Sequence, residues 1–87
     1  MPTITLTINH EAGLHLRPAT LFVQTAGKFA SDITITHGER SANAKSMLTI
    51  VTLGVEQGSE VTISAEGDDA QQALDALKEL VESNFGE

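Results

Sequence analysis

Three short alternating segments restrict the possible folds of this chain more than any other feature. In residues 3–8, 32–36 and 61–65, apolar residues alternate with polar ones. A period of two is typical of strands with one face buried and one face in water. A weaker segment, residues 40–44, follows the second one across a His-Gly-Glu turn, and the pair predicts a hairpin. We therefore expect four strands in a sheet with one covered face and one exposed face.

Two helical patterns separate these strands. The first apolar stripe consists of Ala19, Phe22, Val23, Ala26 and Ala30. Pro18 near its start and Gly27 near its end are typical of helix termini. In the second pattern, Ser46 precedes the apolar residues 47–53, and Gly54 follows them. This arrangement predicts a short helix with a serine N-cap. Phe22 and Val23 are expected in the core.

The last segment has the clearest helical pattern. Asp69 lies three residues before Gln72, which resembles a capping box. The apolar stripe that follows consists of Ala70, Ala73, Leu74, Leu77, Leu80 and Val81. The predicted order is β-α-β-β-α-β-α, which is an α+β fold. With 87 residues, the chain (1–87) is expected to form a single domain.

Composition and charge exclude several classes of function. The chain has no cysteine, so disulfides and thiolate metal sites are ruled out. It has neither a leader-like segment nor an apolar run long enough to span a bilayer, and we expect a soluble intracellular protein. The formal charge is +1 through Val55 and −8 from Glu56 onward. Nucleic acid is therefore not an expected partner, whereas the acid-poor first part can tolerate a bound anion.

The three histidines do not form a convincing metal site. A loop, rather than helical spacing, separates His10 from His15, and His37 lies in the predicted hairpin turn. We expect no metal, and we expect His10 and His37 to be exposed loop residues.

His15 differs from the other two because of its neighbours. It stands where the chain enters the first helix, close to amide groups that lack intrahelical acceptors. Such a helix end attracts anions and disfavours the imidazolium form, which leaves a neutral, nucleophilic ring. Arg17 can offer a planar set of donors to phosphoryl oxygens, and Gly13 allows a close backbone approach. These residues fit a phosphoryl acceptor, but they equally fit a histidine that only caps the helix.

The sequence as a whole resembles one family, the histidine-containing phosphocarrier protein HPr of the bacterial phosphoenolpyruvate-dependent sugar phosphotransferase system. The similarity rests on Gly-Leu-His-Leu-Arg-Pro-Ala at 13–19, Lys-Ser at 45–46, Thr-Leu-Gly at 52–54 and Gly-Ser-Glu-Val-Thr-Ile-Ser-Ala at 58–65. It covers essentially the whole chain. Each motif alone would be weak evidence, but together they are specific.

The resemblance implies an open-faced β-sandwich, in which a four-stranded antiparallel sheet carries three helices on one face. It also implies that phosphorylated enzyme I phosphorylates His15 on Nδ1, that Arg17 assists, and that enzyme IIA components receive the phosphoryl group. Such a protein is a carrier rather than a stand-alone turnover enzyme. The expected location is the cytoplasm and the expected state a monomer, with no cofactor.

Regulation and docking are further implications of the resemblance. Ser46 matches a serine that a dedicated kinase phosphorylates in some bacterial lineages. The short second helix is expected to supply apolar docking contacts, with Met47 or Leu48 exposed. The candidate docking residues are Leu16, Thr20, Lys45, Met47, Leu48 and Val51.

The sequence also departs from the family pattern. Leu16 follows the histidine where many members have alanine or threonine, and Gln24, Gly27 and Thr49 replace lysines of several relatives. Only Arg17, Lys28 and Lys45 then remain as cations near the expected docking face. We therefore expect association with enzyme I to depend less on salt than in lysine-rich relatives.

Two alternatives to the sugar-system carrier stay open. One is a paralogous carrier in a nitrogen-related or regulatory branch, with the same chemistry and different partners. The other is a regulatory binding protein that acts through Ser46 and never carries phosphate on His15.

Overall fold

The computed structural model describes residues 2–11, 13 and 16–86, with Leu16 described by its backbone alone. The elements in chain order are β1 (Thr3–Thr7), α1 (Leu16–Ala26), β2 (Asp32–His37), β3 (Arg40–Asn43), α2 (Met47–Thr52), β4 (Glu60–Glu66), α3 (Ala70–Glu82) and a 3₁₀ turn (Asn84–Gly86). None of the helices in this described part is both long and apolar enough to cross a membrane.

The strands form one antiparallel sheet in the order β1-β4-β2-β3. Alternate residues of the two central strands are buried, as the period of two predicts, and they include Ile33, Ile35 and Ile63. Residues such as Thr5 and Thr34 occupy the opposite, exposed positions. The four-stranded sheet with three helices confirms the predicted fold class.

Helices α1 and α3 pack against each other, and α3 also contacts β1 and β4. Phe22 of α1 and Leu77 of α3 are fully buried. Val23 and Leu80 are half-buried and pack against the same core. Ala30 was expected in the first helical stripe, but α1 ends at Ala26 and Ala30 is exposed in the loop that follows.

Asp69 occupies the N-cap position of α3, but its carboxylate does not cap the helix. Its Oδ2 accepts the Ala30 amide at 2.8 Å, and its Oδ1 accepts the Ser31 amide at 3.0 Å and a short hydrogen bond from the Ser31 hydroxyl. The predicted capping box is therefore wrong. The carboxylate instead ties the start of α3 to the loop before β2.

Ser46 also occupies an N-cap position without capping α2 through its hydroxyl. Its carbonyl accepts the Ile50 amide at 3.1 Å and the Thr49 hydroxyl at 3.1 Å. The position of the helix start was predicted correctly, and the side-chain cap was not. Gly54, one residue past the C-cap Leu53, adopts a left-handed φ of 71°, as expected of a residue that ends a helix.

The buried stripe of α3 gives a first stability prediction. Leu77→Ala should lower the free energy of unfolding by about 2–5 kcal/mol, because it removes a fully buried side chain. Urea denaturation measures the loss. Glu79→Ala on the exposed side of the same helix is the control, and equal losses in both variants would contradict the assigned packing.

The contact of Asp69 gives a second prediction, concerning pH. Hydrogen bonds from the Ser31 hydroxyl and the Ala30 amide hold the pKa of Asp69 below its usual value. A lowered pKa in the folded state stabilises the fold above the unfolded pKa of about 3.9, and this stabilisation disappears as the pH falls through the folded value.

Asp69→Asn should therefore melt at a lower temperature than the wild type at pH 7, and the difference should shrink below about pH 4. Thermal melts between pH 2 and pH 7 would test this. Asp68→Asn, which removes the same charge from an exposed neighbour, is the control. A pH-independent difference for Asp69→Asn would show that the carboxylate charge does not contribute.

Candidate functional site

The candidate site lies where the loop after β1 enters α1. Of this loop the structure describes residues 8–11 and 13, so Ala12, Leu14 and His15 lie outside the described residues. Helix α1 begins at Leu16, directly after His15 in the sequence. The nearest described residues on either side of His15 in the sequence are Gly13 and Leu16.

Backbone contacts hold the described part of this loop against the segment that joins α2 to β4. The Ile8 amide donates to the Ser59 carbonyl at 2.8 Å, and the Gly58 amide donates to the Ile8 carbonyl at 2.7 Å. The Gln57 side-chain amide donates to the Asn9 carbonyl at 3.2 Å. No sequence signal points to Gln57, because this contact joins residues 48 positions apart.

Gly13 lies against the same segment. Its φ is +61°, and a Cβ atom at this position would lie 2.3 Å from the Val55 carbonyl oxygen and 2.7 Å from Glu56 Cα. The sequence predicted that Gly13 allows a close backbone approach. In the structure, the close neighbour is the backbone of residues 55–56.

The first turn of α1 is suited to an anion. It contains no acidic residue, so no carboxylate within that turn neutralises the positive end of the helix dipole. Arg17 is exposed, while Pro18 and Ala19 are buried and anchor the turn to the core. Among the described residues, no acidic side chain forms an ion pair with Arg17. An exposed guanidinium and the amides of a helix N-terminus are groups that bind the oxygens of an anion.

The other two histidines are not exposed loop residues, and that expectation was wrong. His10 is buried, with its ring 5.7 Å from the Phe85 ring in an edge-to-face arrangement. Phe85 belongs to the 3₁₀ turn after α3, which the sequence pattern did not predict. His37 lies at the end of β2 and is half-buried, with Nδ1 3.2 Å from the Leu53 carbonyl oxygen. Each ring thus has a protein contact of its own.

Five of the six candidate docking residues belong to α1 and α2, and the side chains of four of these are described. Leu48 is 73% exposed, and Met47 and Val51 are half-buried. The exposed Thr20 of α1 reaches across to α2, where its hydroxyl lies 3.7 Å from the Met47 sulfur. The structure therefore brings Thr20 and Met47 together. The side chain of Leu16 lies outside the described part.

Lys45 is half-buried and is anchored to the loop after α1. Its Nζ donates to the Phe29 carbonyl at 2.7 Å, and its amide donates to the Asn43 side chain at 2.9 Å. It also lines a polar groove of about 380 Å³ along β2 and β3. Ser46, the next residue, is half-buried at the start of α2.

Comparison with known proteins identifies the family. The protein-family model described as the PTS HPr component phosphorylation site matches residues 2–83 of this chain. The chain belongs to the HPr phosphocarrier family. A structure of HPr from Thermoanaerobacter tengcongensis is 52% identical, with 100% of this chain and 98% of that chain covered and a TM-score of 0.98. The phosphocarrier protein HPr from Bacillus anthracis is 41% identical, with 92% and 95% covered and a TM-score of 0.88.

An HPr dimer from Thermoanaerobacter tengcongensis is also similar to this chain. It is 52% identical over the full length of both chains, with a TM-score of 0.81. The HPr fold thus also occurs in a dimeric structure. The monomer that the resemblance implies therefore stays a prediction for this chain.

The contact at Gly13 can be tested against a matched glycine, Gly38, of the same chain. Gly13→Ala should cost more stability than Gly38→Ala, although both residues have a φ near +60°. The left-handed backbone alone costs an alanine about 1–2 kcal/mol. At Gly38 no atom lies within 4 Å of the added Cβ, whereas at Gly13 the Cβ also meets the backbone of residues 55–56. Urea denaturation of both variants measures the difference, and equal losses would contradict the close contact.

Proposed function

We propose that the protein accepts a phosphoryl group on His15 from phosphorylated enzyme I and passes it to enzyme IIA components of the sugar phosphotransferase system. One observation supports this most strongly: α1 begins directly after His15 in the chain and presents an exposed Arg17 in an acid-free first turn. Membership of the HPr family agrees with it.

The chemistry requires a neutral imidazole. A ring nitrogen of His15 attacks phosphorus, a new P–N bond forms, and the bond from phosphorus to enzyme I breaks. Among HPr proteins the nitrogen is Nδ1, and we extend this to His15. The transferred group carries its negative charge on three oxygens, so catalysis depends on positioning and on charge stabilisation. Arg17 and the first-turn amides of α1 supply both.

The acceptor and donor proteins are proposed to dock on the surface around the start of α1 and on α2. Leu48 supplies exposed apolar area, and Met47 and Val51 add half-buried area beside it. Thr20 borders these residues, and Leu16 and Lys45 complete the proposed docking set. This carrier is proposed to work in the cytoplasm as a monomer, as the family resemblance implies.

Ser46 is the proposed regulatory site, phosphorylated by an HPr kinase. A phosphate there would add a charge of about −1.5 to −2 beside Met47 at the docking surface. We expect Ser46→Asp to slow transfer from enzyme I, with Ser41→Asp on the exposed part of β3 as the control. Equal rates in the two variants would argue against a role for Ser46.

The decisive experiment combines the protein with enzyme I, Mg²⁺ and phosphoenolpyruvate. The wild type should gain an acid-labile, alkali-stable phosphate, and His15→Ala should gain none. His37→Ala is the control and should be labelled like the wild type. No label on the wild type would rule out the carrier and favour the binding-only protein. Repeating the assay with the enzyme I homologue of a nitrogen-related branch identifies the branch by the faster rate.

Arg17→Ala should slow phosphorylation of His15 while the melting temperature stays the same, because the side chain is exposed. Removing one donor to the developing charge predicts a loss on the order of a hundredfold. Lys78→Ala, which removes an exposed cation of α3, is the control for charge. A large drop in melting temperature for Arg17→Ala would show that the residue is structural.

A further inference from the structure

Met47 combines a half-buried position at the start of α2 with a polar neighbour that contacts its sulfur. It is the first residue of α2, half-buried, and adjacent to Leu48, which is 73% exposed. The Thr20 hydroxyl donates a hydrogen bond to Met47 Sδ at 3.7 Å. Met47 also packs against the hydrophobic core, so the thioether lies at the edge of the core, beside the exposed Thr20.

The composition makes this sulfur chemically exceptional in the chain. The sequence contains no cysteine, tryptophan or tyrosine, and only two methionines, Met1 and Met47. Thioethers are therefore the side chains of this protein that peroxides oxidise most readily. Any mild oxidative modification of the chain is expected at these two residues.

We propose that Met47 is a site of reversible oxidation by hydroperoxides. The sulfur lone pair attacks the peroxide, the O–O bond breaks, and an S–O bond forms. With hydrogen peroxide, water is released after proton transfer. Sulfur is oxidised by two electrons and the peroxide is reduced by two. The product is methionine sulfoxide, which methionine sulfoxide reductases convert back to methionine.

The contact with Thr20 should determine which epimer of the sulfoxide forms. A thioether sulfur carries two lone pairs, and oxidation of one or the other yields opposite sulfoxide epimers. The Thr20 hydroxyl engages one lone pair and leaves the other for the peroxide. One epimer of the Met47 sulfoxide should therefore predominate.

The consequence for docking rests on the proposed function. Methionine sulfoxide is polar where methionine is apolar, and Met47 lies beside the apolar area of Leu48 and Val51. Contact with an apolar partner surface would then bury the sulfoxide oxygen. This oxygen would lose its hydrogen bonds to water without gaining a new donor. Oxidation of Met47 thus weakens docking and leaves His15 chemically unchanged.

The modification itself is tested without any partner protein. Hydrogen peroxide is added to the full chain, and peptide mass spectrometry measures oxygen addition separately at Met1 and Met47. MsrA and MsrB, each specific for one epimer, then report the ratio of epimers at Met47. The wild type should be repaired mainly by one of the two enzymes. Thr20→Val, which removes the donor and keeps the shape, should be repaired more evenly.

Two results would overturn the proposal. One is a Met47 that stays unmodified while Met1 is oxidised. The other is the same epimer ratio in the wild type and in Thr20→Val, with both variants folded by circular dichroism.

The effect on docking is measured as the KM of enzyme I for treated and untreated protein. Treatment should raise the KM on the order of tenfold for the wild type. Met47→Leu keeps Met1, so its KM should be the same before and after treatment. An unchanged KM for the oxidised wild type would show that oxidation of Met47 does not weaken docking to enzyme I. If untreated wild type accepts no phosphate at all, the proposed function fails, whereas the epimer result stands or falls separately.

Discussion

The contact between the loop before α1 and the segment joining α2 to β4 positions the chain that leads into the candidate site. Residue 13 can lie this close to the Val55 carbonyl only because it has no side chain. Hydrogen bonds of Ile8 and Asn9 to residues 57–59 fix the same loop from its other end. The chain that leads to His15 is thus positioned mainly by backbone atoms, which most substitutions of side chains leave in place.

This arrangement suits a carrier whose reaction depends on a partner. Pro18 and Ala19 bury the inner side of the first turn of α1, and Arg17 is left on the outer side. Leu48 adds an apolar surface from the neighbouring helix. A small domain can therefore present charge stabilisation and docking area together without enclosing a substrate. Under the proposed function, the partner protein supplies the rest of the site.

Two polar side chains at helix starts do not have the roles that their positions indicate. Asp69 bonds to the loop before β2, and the Ser46 hydroxyl leaves the amides of α2 uncapped. A sequence pattern for capping describes only the nearest amides. It cannot include donors such as those of Ala30 and Ser31, which the fold brings from a distant part of the chain.

The sequence alone determined the order of the strands and helices, the buried stripe of α3 and the motif around His15, because periodicity and turn residues act between near neighbours. The resemblance to the HPr family also followed from the sequence motifs alone. Only the tertiary structure decided that His10 is buried against Phe85, that Asp69 binds the loop before β2, and that Thr20 contacts Met47. These contacts join residues far apart in the chain, and no local pattern encodes which distant groups packing will bring together.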